Sequence, residues 1–186
     1  DERKGLILCL KIEFSDGLGG VMSWLNLRCN YSLKYLLFLR KRQSTSGKIA
    51  RKLYVLKQIR WNKQYGLDIQ TDQIGKGLYL GHAHNINVNP RAVIGDNCNL
   101  AKGVTIGQEN RGERIGAPKI GNRVWIGTNA VVVGNITVGD DVLIAPNCYV
   151  NRDIPAHSVV IGNPCKIINK ENATEGYVTC LIETGN

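Results

Sequence analysis

Through the second part of the chain, apolar residues recur every six positions. They fall at Ile74, Leu80 and Ile86, then at Ile94, Leu100 and Ile106, and they resume at Ile120, Ile126, Val132, Val138, Ile144 and Val150. A second apolar or small residue often follows four positions later: Leu78, Cys98, Val104, Val124, Ala130, Ile136, Val142, Cys148 and Ile154. His84 holds the same place after Leu80. Neither a helix nor a flat strand has a period of six. A parallel β-helix does, with each hexapeptide giving one short strand and one corner, and three hexapeptides closing a coil of about 18 residues. One side chain per corner points inward and stacks on its equivalents in the next coil. The narrow interior suits Ile, Val, Leu, Ala and Cys, so Cys98 and Cys148 are expected to fill the core.

The register breaks twice. Ile86 to Ile94 is eight residues, an excess of two that is expected around Asn89-Pro90. Ile106 to Ile120 is fourteen, and residues 108–118 are polar. This stretch predicts a loop thrown out from the coil, and loops on a rigid scaffold are where function tends to sit.

The pattern before residue 67 is different. Trp24, Leu27, Tyr31, Tyr35 and Phe38 recur at three and four, as do Ile49, Leu53, Leu56 and Ile59. The spacing predicts two helices over 23–42 and 48–65, with Gln43–Gly47 as the turn between them. Four units follow: an extension over 1–21, expected to be non-native or disordered because Met22 is the only methionine; a basic helical hairpin over 22–66; the β-helix over 67–168; and a tail over 169–186.

Charge sharpens this division. No acidic residue lies between Asp16 and Asp68, a stretch that holds eleven Lys and Arg, whereas the whole chain has a formal net charge of +9. Basic amphipathic helices can lie on anionic membrane surfaces. Peripheral membrane contact through residues 28–63 is therefore weighed against a solvated face that packs on the coil. No nucleic-acid motif accompanies the charge, so a nucleic-acid partner is not expected. No apolar run is long enough to span a bilayer. The six cysteines have no CxxC spacing and no zinc-finger pattern, and free thiols in a cytoplasmic setting are expected.

The repeats, the loop and the terminal Ile161-Gly162-Asn163-Pro164-Cys165-Lys166 resemble the hexapeptide-repeat acyltransferases, in particular their serine acetyltransferase-like branch. The resemblance covers residues 67–168. It implies a left-handed parallel β-helix, mainly β with a short N-terminal helical region. It also implies a homotrimer and an acetyl-CoA co-substrate bound between neighbouring subunits, with no metal.

The histidines rank by register. His82, two after Leu80, points outward; His84 is expected inward; His157 resembles a terminal-cap residue. Leu80-Gly81-His82-Ala83 matches the family's catalytic histidine. A neutral hydroxyl attacks a thioester poorly, and an imidazole with an ordinary pKa near 6.5 can take its proton. Asp68 matches the family's partner carboxylate, which orients the ring. By the same resemblance Gly107, Thr128, Ala145 and Pro146 line the pantetheine arm, and Lys166 is a candidate for a CoA phosphate. Arg111, Glu113 and Arg114 are candidate acceptor contacts.

The departures bear on the acceptor. Serine acetyltransferases carry an acidic residue before the catalytic histidine and an Arg-His pair before Pro-Lys-Ile. Here Gly81 and Gly116-Ala117 stand in those places. A desolvated amino acid needs charged partners, so a saccharide hydroxyl, as in polysaccharide biosynthesis, is the expected acceptor and L-serine the alternative. Two other classes compete. One is a trimeric scaffold without catalysis, which retention of Asp68 and His82 opposes. The other is a β-helical zinc enzyme, whose three-histidine spacing is not met.

Overall fold

The computed structural model describes residues 31–178 and 181–182. The expected extension over 1–21, with Met22, lies outside the described residues. Helix α1 (Tyr31–Gln43) buries Leu33, Tyr35, Leu36, Phe38 and Leu39, an apolar stripe at helical spacing. Its last turn carries Arg40, Lys41 and Arg42, which suit the negative end of the helix dipole. Helix α2 (Lys48–Tyr65) ends at Gly66, whose φ of 66° is left-handed and whose N–H donates to the Asn62 carbonyl at 2.8 Å. Tyr54, Trp61 and Tyr65 of α2 pack against the core from its half-buried side.

Among the described residues, fourteen short strands follow: β1 (Asp68–Ile69), β2 (Tyr79–Gly81), β3 (Asn87–Val88), β4 (Val93–Ile94), β5 (Asn99–Ala101), β6 (Thr105–Gly107), β7 (Lys119–Ile120), β8 (Trp125–Ile126), β9 (Val131–Val133), β10 (Thr137–Val138), β11 (Val142–Ile144), β12 (Tyr149–Val150), β13 (Ser158–Ile161) and β14 (Lys166–Asn169). They form three faces. One is five-stranded, β1-β3-β6-β9-β12; one is three-stranded, β4-β7-β10; one is six-stranded, β2-β5-β8-β11-β13-β14. All pairings are parallel except β13 with β14. The register stacks Ile69, Val88, Ile106, Val132 and Val150 in one buried column, and Leu80, Leu100, Ile126, Ile144 and Val160 in another. Cys98 and Cys148 are free, buried at corners of the coil, and donate to the carbonyls of Gly121 and Gly162 at 3.1 Å. Burial pushes their thiols up, to about 12 and about 11.

Two corrections to the sequence register follow, and they share one cause. Gly81 pairs with Ala101 and Asn87 pairs with Thr105, so residues 82–86 occupy the corner that residues 102–104 fill one coil higher. The two-residue excess therefore lies at the first corner and not at Asn89-Pro90. From Val88 to Ile94 the spacing is the ordinary six, with Ala92 inward. Ile86 takes the inward slot that Val104 fills one coil higher, Ala83 is fully buried as well, and His84 is exposed. The His84 carbonyl accepts from Gly103 N–H at 2.9 Å, the contact that Lys102 makes with Asn129 and Thr128 with Asn147. His82 and Ala83 are thus the inserted pair.

Both ends of the coil are closed, as a stack of repeats requires. At the bottom, α1 and α2 cover Leu67, Ile69 and Ile74. Buried Arg42 holds them there, donating to the carbonyls of Ile69 (2.8 Å) and Thr71 (2.6 Å) and pairing with Asp72 at 2.8 Å. The Tyr35 hydroxyl accepts from Ile69 N–H at 3.1 Å and from the Gln58 amide at 2.7 Å. At the top, β14 folds back on β13, and the chain beyond it is pinned by Asp141. That buried carboxylate accepts from Ala173 N–H, Thr174 N–H and the Thr174 hydroxyl, at 3.0, 3.1 and 2.7 Å, and contacts His157 Nδ1 at 2.9 Å.

Candidate functional site

The corner between the six-stranded and five-stranded faces is a vertical column. Its left-handed position is held in turn by Gly66, Asn85, Gly103, Asn129 and Asn147, with φ between 53° and 75°. Regular coils cross this corner in three residues. The first coil uses five, and its extra residues have opposite fates. Ala83 enters the core; His82, at φ 49°, is exposed. A histidine at positive φ is uncommon outside a constrained turn. The bulge presents an imidazole to solvent beside a stack of otherwise uniform corners.

Asp68 opens β1 directly beneath Asn87, five residues past His82 in the coil above. Its carboxylate accepts from the Gln70 amide at 2.8 Å and more weakly from Gln58 at 3.4 Å. Among the described residues, no hydrogen bond joins it to His82. Both residues lie at the lower end of the same column, because Tyr65 and Gly66, just ahead of Asp68, stack beneath His84 and Asn85: the Tyr65 carbonyl accepts Asn85 N–H at 3.0 Å.

The candidate CoA residues divide between two columns. Thr128, Ala145 and Pro146 share the His82 corner, higher up: Thr128 follows β8, Ala145 and Pro146 follow β11, and the Thr128 carbonyl accepts Asn147 N–H at 2.9 Å. Lys166 is exposed at the start of β14, opposite Ile161, beside the turn that closes this column. Gly107 ends β6 at the next corner, where the chain leaves for the loop. Arg111, Glu113 and Arg114 are exposed in that loop. The loop is a small hairpin, bridged between Glu109 and Gly116 and tied to the coil by the Arg114 carbonyl, which accepts Asn135 N–H at 3.0 Å. Within one chain, Gly107 and the loop are not brought to the His82 column.

Sequence reasoning missed the aromatic wall that packs on His84. Tyr31 and Tyr65 stack with ring centres 4.7 Å apart, and both tilt against His84, at 5.2 and 5.8 Å. The helical spacing marks Tyr31 alone, and nothing in the pattern joins it to Tyr65 and His84, which meet it from another helix and from the corner. The mistaken inward placement of His84 hid the cluster. Gln58 and Gln70, which hold Asp68, were missed for the same reason: they belong to no repeat. Among the described residues, no group of three His, Cys, Asp or Glu side chains is placed to hold a metal ion.

Residues 117–152 match the family model described as bacterial transferase hexapeptide (six repeats). The chain is 37% identical over 123 residues to serine acetyltransferase 4 of Arabidopsis thaliana, covering 65% of this chain and 35% of that protein. It is 37% identical over 99 residues to the serine acetyltransferase of Helicobacter pylori, covering 53% of this chain and 58% of the relative. The chain thus spans between about a third and three-fifths of these relatives. Among solved structures, the Neisseria gonorrhoeae serine acetyltransferase in complex with serine superposes with a TM-score of 0.72 at 29% identity, over 90% of this chain and 69% of that one. A Brucella abortus serine acetyltransferase in complex with coenzyme A gives 0.68 at 29%, over 75% and 56%. The resemblance read from the repeats is borne out, and so is the left-handed β-helix with its short helical region.

Proposed function

We propose that this chain, built on a hexapeptide-repeat coil similar to that of the serine acetyltransferases, transfers the acetyl group of acetyl-CoA to an acceptor hydroxyl. The observation that carries the reading is the bulge, which exposes His82 at the foot of the column that bears Thr128, Ala145 and Pro146. His82 takes the hydroxyl proton as the oxygen attacks the thioester carbon. A tetrahedral oxyanion forms, the carbon–sulfur bond breaks, the CoA sulfur leaves and is protonated, and an ester remains. General-base assistance of this kind is worth roughly 10²–10⁴-fold. Asp68 is the positioning residue for the imidazole, and to reach it the carboxylate exchanges its Gln70 contact. The acetyl-CoA arm follows the column upward over small residues, with Lys166 near its top. Gly107 and the loop enter the site from a neighbouring copy of the chain, which is the role of the homotrimer.

L-Serine is the acceptor that the relatives favour, since each of those described above is a serine acetyltransferase. The saccharide expectation finds no support among them. It stays as a second reading on one specific observation: Gly81, Gly116 and Ala117 supply no charged side chain, while the rings of Tyr31 and Tyr65 pack against His84, two residues along the chain from the base.

Release of free CoA from acetyl-CoA, with L-serine and with a panel of mono- and oligosaccharides, tests both. The expected result is release with L-serine that falls roughly 10²–10⁴-fold in His82→Ala. Release with a saccharide alone moves the acceptor to the second reading. Full activity in His82→Ala overturns the assignment of the base.

A further inference from the structure

The helical hairpin presents a surface that the transfer reaction does not use. On α2, Ile49, Leu53 and Leu56 follow one another at i, i+4 and i+7, and all are exposed, Ile49 by 80%. Val55 and Ile59 of the same helix are also exposed. Soluble surfaces rarely leave so many large apolar side chains uncovered together. The stripe continues along the same face into Arg60 and Lys63. Beside it, α1 and α2 enclose an open groove of about 500 Å³, with Leu37, Phe38, Tyr54 and Trp61 as its apolar part and Lys34, Lys41, Lys57 and Arg60 as its cations. Among the described residues, no carboxylate pairs with these four cations. None is available from the hairpin itself, because the chain has no acid between Asp16 and Asp68.

A second observation points the same way. The first turn of α2 carries Lys48 and Arg51, followed by Lys52, and has no acidic residue and no side-chain cap. Cations there oppose the positive end of the helix dipole. Arg51 has a partner in Asp72 at 3.1 Å; Lys48 and Lys52 are exposed. An external anionic surface relieves this mismatch.

We propose that the hairpin docks on an anionic lipid bilayer, with Ile49, Leu53 and Leu56 entering the boundary of the acyl region and the cations of the groove and of the α2 face meeting lipid phosphates. The occupant is a bilayer because the surface pairs an uncovered apolar row with a surplus of positive charge, so that the acyl boundary and the lipid phosphates each find partners on it. No helix among the described residues is long and apolar enough to cross a membrane, so the contact is peripheral.

Flotation of the full chain with vesicles tests this, using phosphatidylcholine alone and phosphatidylcholine mixed with phosphatidylglycerol. The expected result is binding to the mixed vesicles only, weakened by salt. Leu53→Gln with Leu56→Gln lowers the affinity roughly tenfold through lost apolar insertion. Lys57→Glu with Arg60→Glu lowers it by roughly tenfold or more through the headgroups. All four positions are on the surface, and unchanged thermal melting of both double variants checks that they fold. Equal binding to neutral vesicles, or none to either, overturns the proposal. So does binding that the leucine variant does not weaken. A change of oligomeric mass in the leucine variant, with no vesicle binding by the parent chain, assigns the face to another copy of the chain and also overturns it.

Discussion

The first corner of the coil and the corners stacked above it use the same left-handed backbone for different ends. In the regular corners, each left-handed residue lies against the one above, and the column of Gly66, Asn85, Gly103, Asn129 and Asn147 leaves little freedom. A Cβ on Gly103 would run into the Asn129 side chain. In the first corner Asn85 keeps its place in the stack, tight against Gly66, and the two added residues come ahead of it. Ala83 keeps the core filled, and His82 is released to the surface. The repeat supplies rigidity; its break at the first corner supplies a reactive side chain. Strain and irregularity gather where a fold does chemistry.

The largest stability effect separating the two kinds of corner is expected at Gly103. Gly103→Val puts a branched side chain at φ 75° against Asn129 and should cost about 2–4 kcal/mol, read as a lower denaturation midpoint. An unchanged midpoint would show that regular corners have room to spare.

Next is Asp141, another left-handed corner residue, at φ 55°. Burial raises its pKa, but the hydrogen bonds from Thr174, His157 and Ala173 outweigh that and hold it at about 2. An ordinary Asp titrates near ~3.9. The contribution is therefore full above about pH 4 and is lost as pH falls through 2. Asp141→Ala should cost about 2–3 kcal/mol near neutrality. The gap in melting temperature between the two proteins should close on acidification; a gap that is constant with pH would break the account of this corner.

The smallest stability effect is expected at the bulge. His82→Gly gives up an unfavourable left-handed side chain but loosens the unfolded chain, so stability should stay within about 1 kcal/mol of the parent. A loss comparable to that at Gly103 would mean that the histidine is structural.

Much of the fold was legible because the coil repeats its physics. Leu80, Leu100, Ile126 and Ile144 announce one inward column by spacing alone. Helix α2 was legible too, ending at a glycine that stops it. What misled was a slip of two. Inward slots alternate at intervals of four and two, so Ile86 can be read as a strand residue when it is a corner residue, and Val88 then looks surplus. The proline at 90 attracted the break that belongs to His82-Ala83. The same slip sent His84 inward and hid the wall of Tyr31 and Tyr65. Asp68 and His82 were legible as candidates, but the hold of Gln58 on the carboxylate depends on how α2 packs on the coil, which no repeat encodes, and Gln70 reaches it locally from two residues on.

The most direct test of the account is to delete His82 and Ala83 together and measure acetyl transfer beside thermal unfolding. The deletion gives the first corner the three-residue length of those above it, with His84 in the place of Lys102 and Asn85 in that of Gly103. The prediction is a folded protein that melts near the parent temperature and has lost roughly 10²–10⁴-fold in turnover. Retained turnover would contradict the claim that the broken repeat carries the chemistry, and failure to fold would contradict the claim that the coil does not need it.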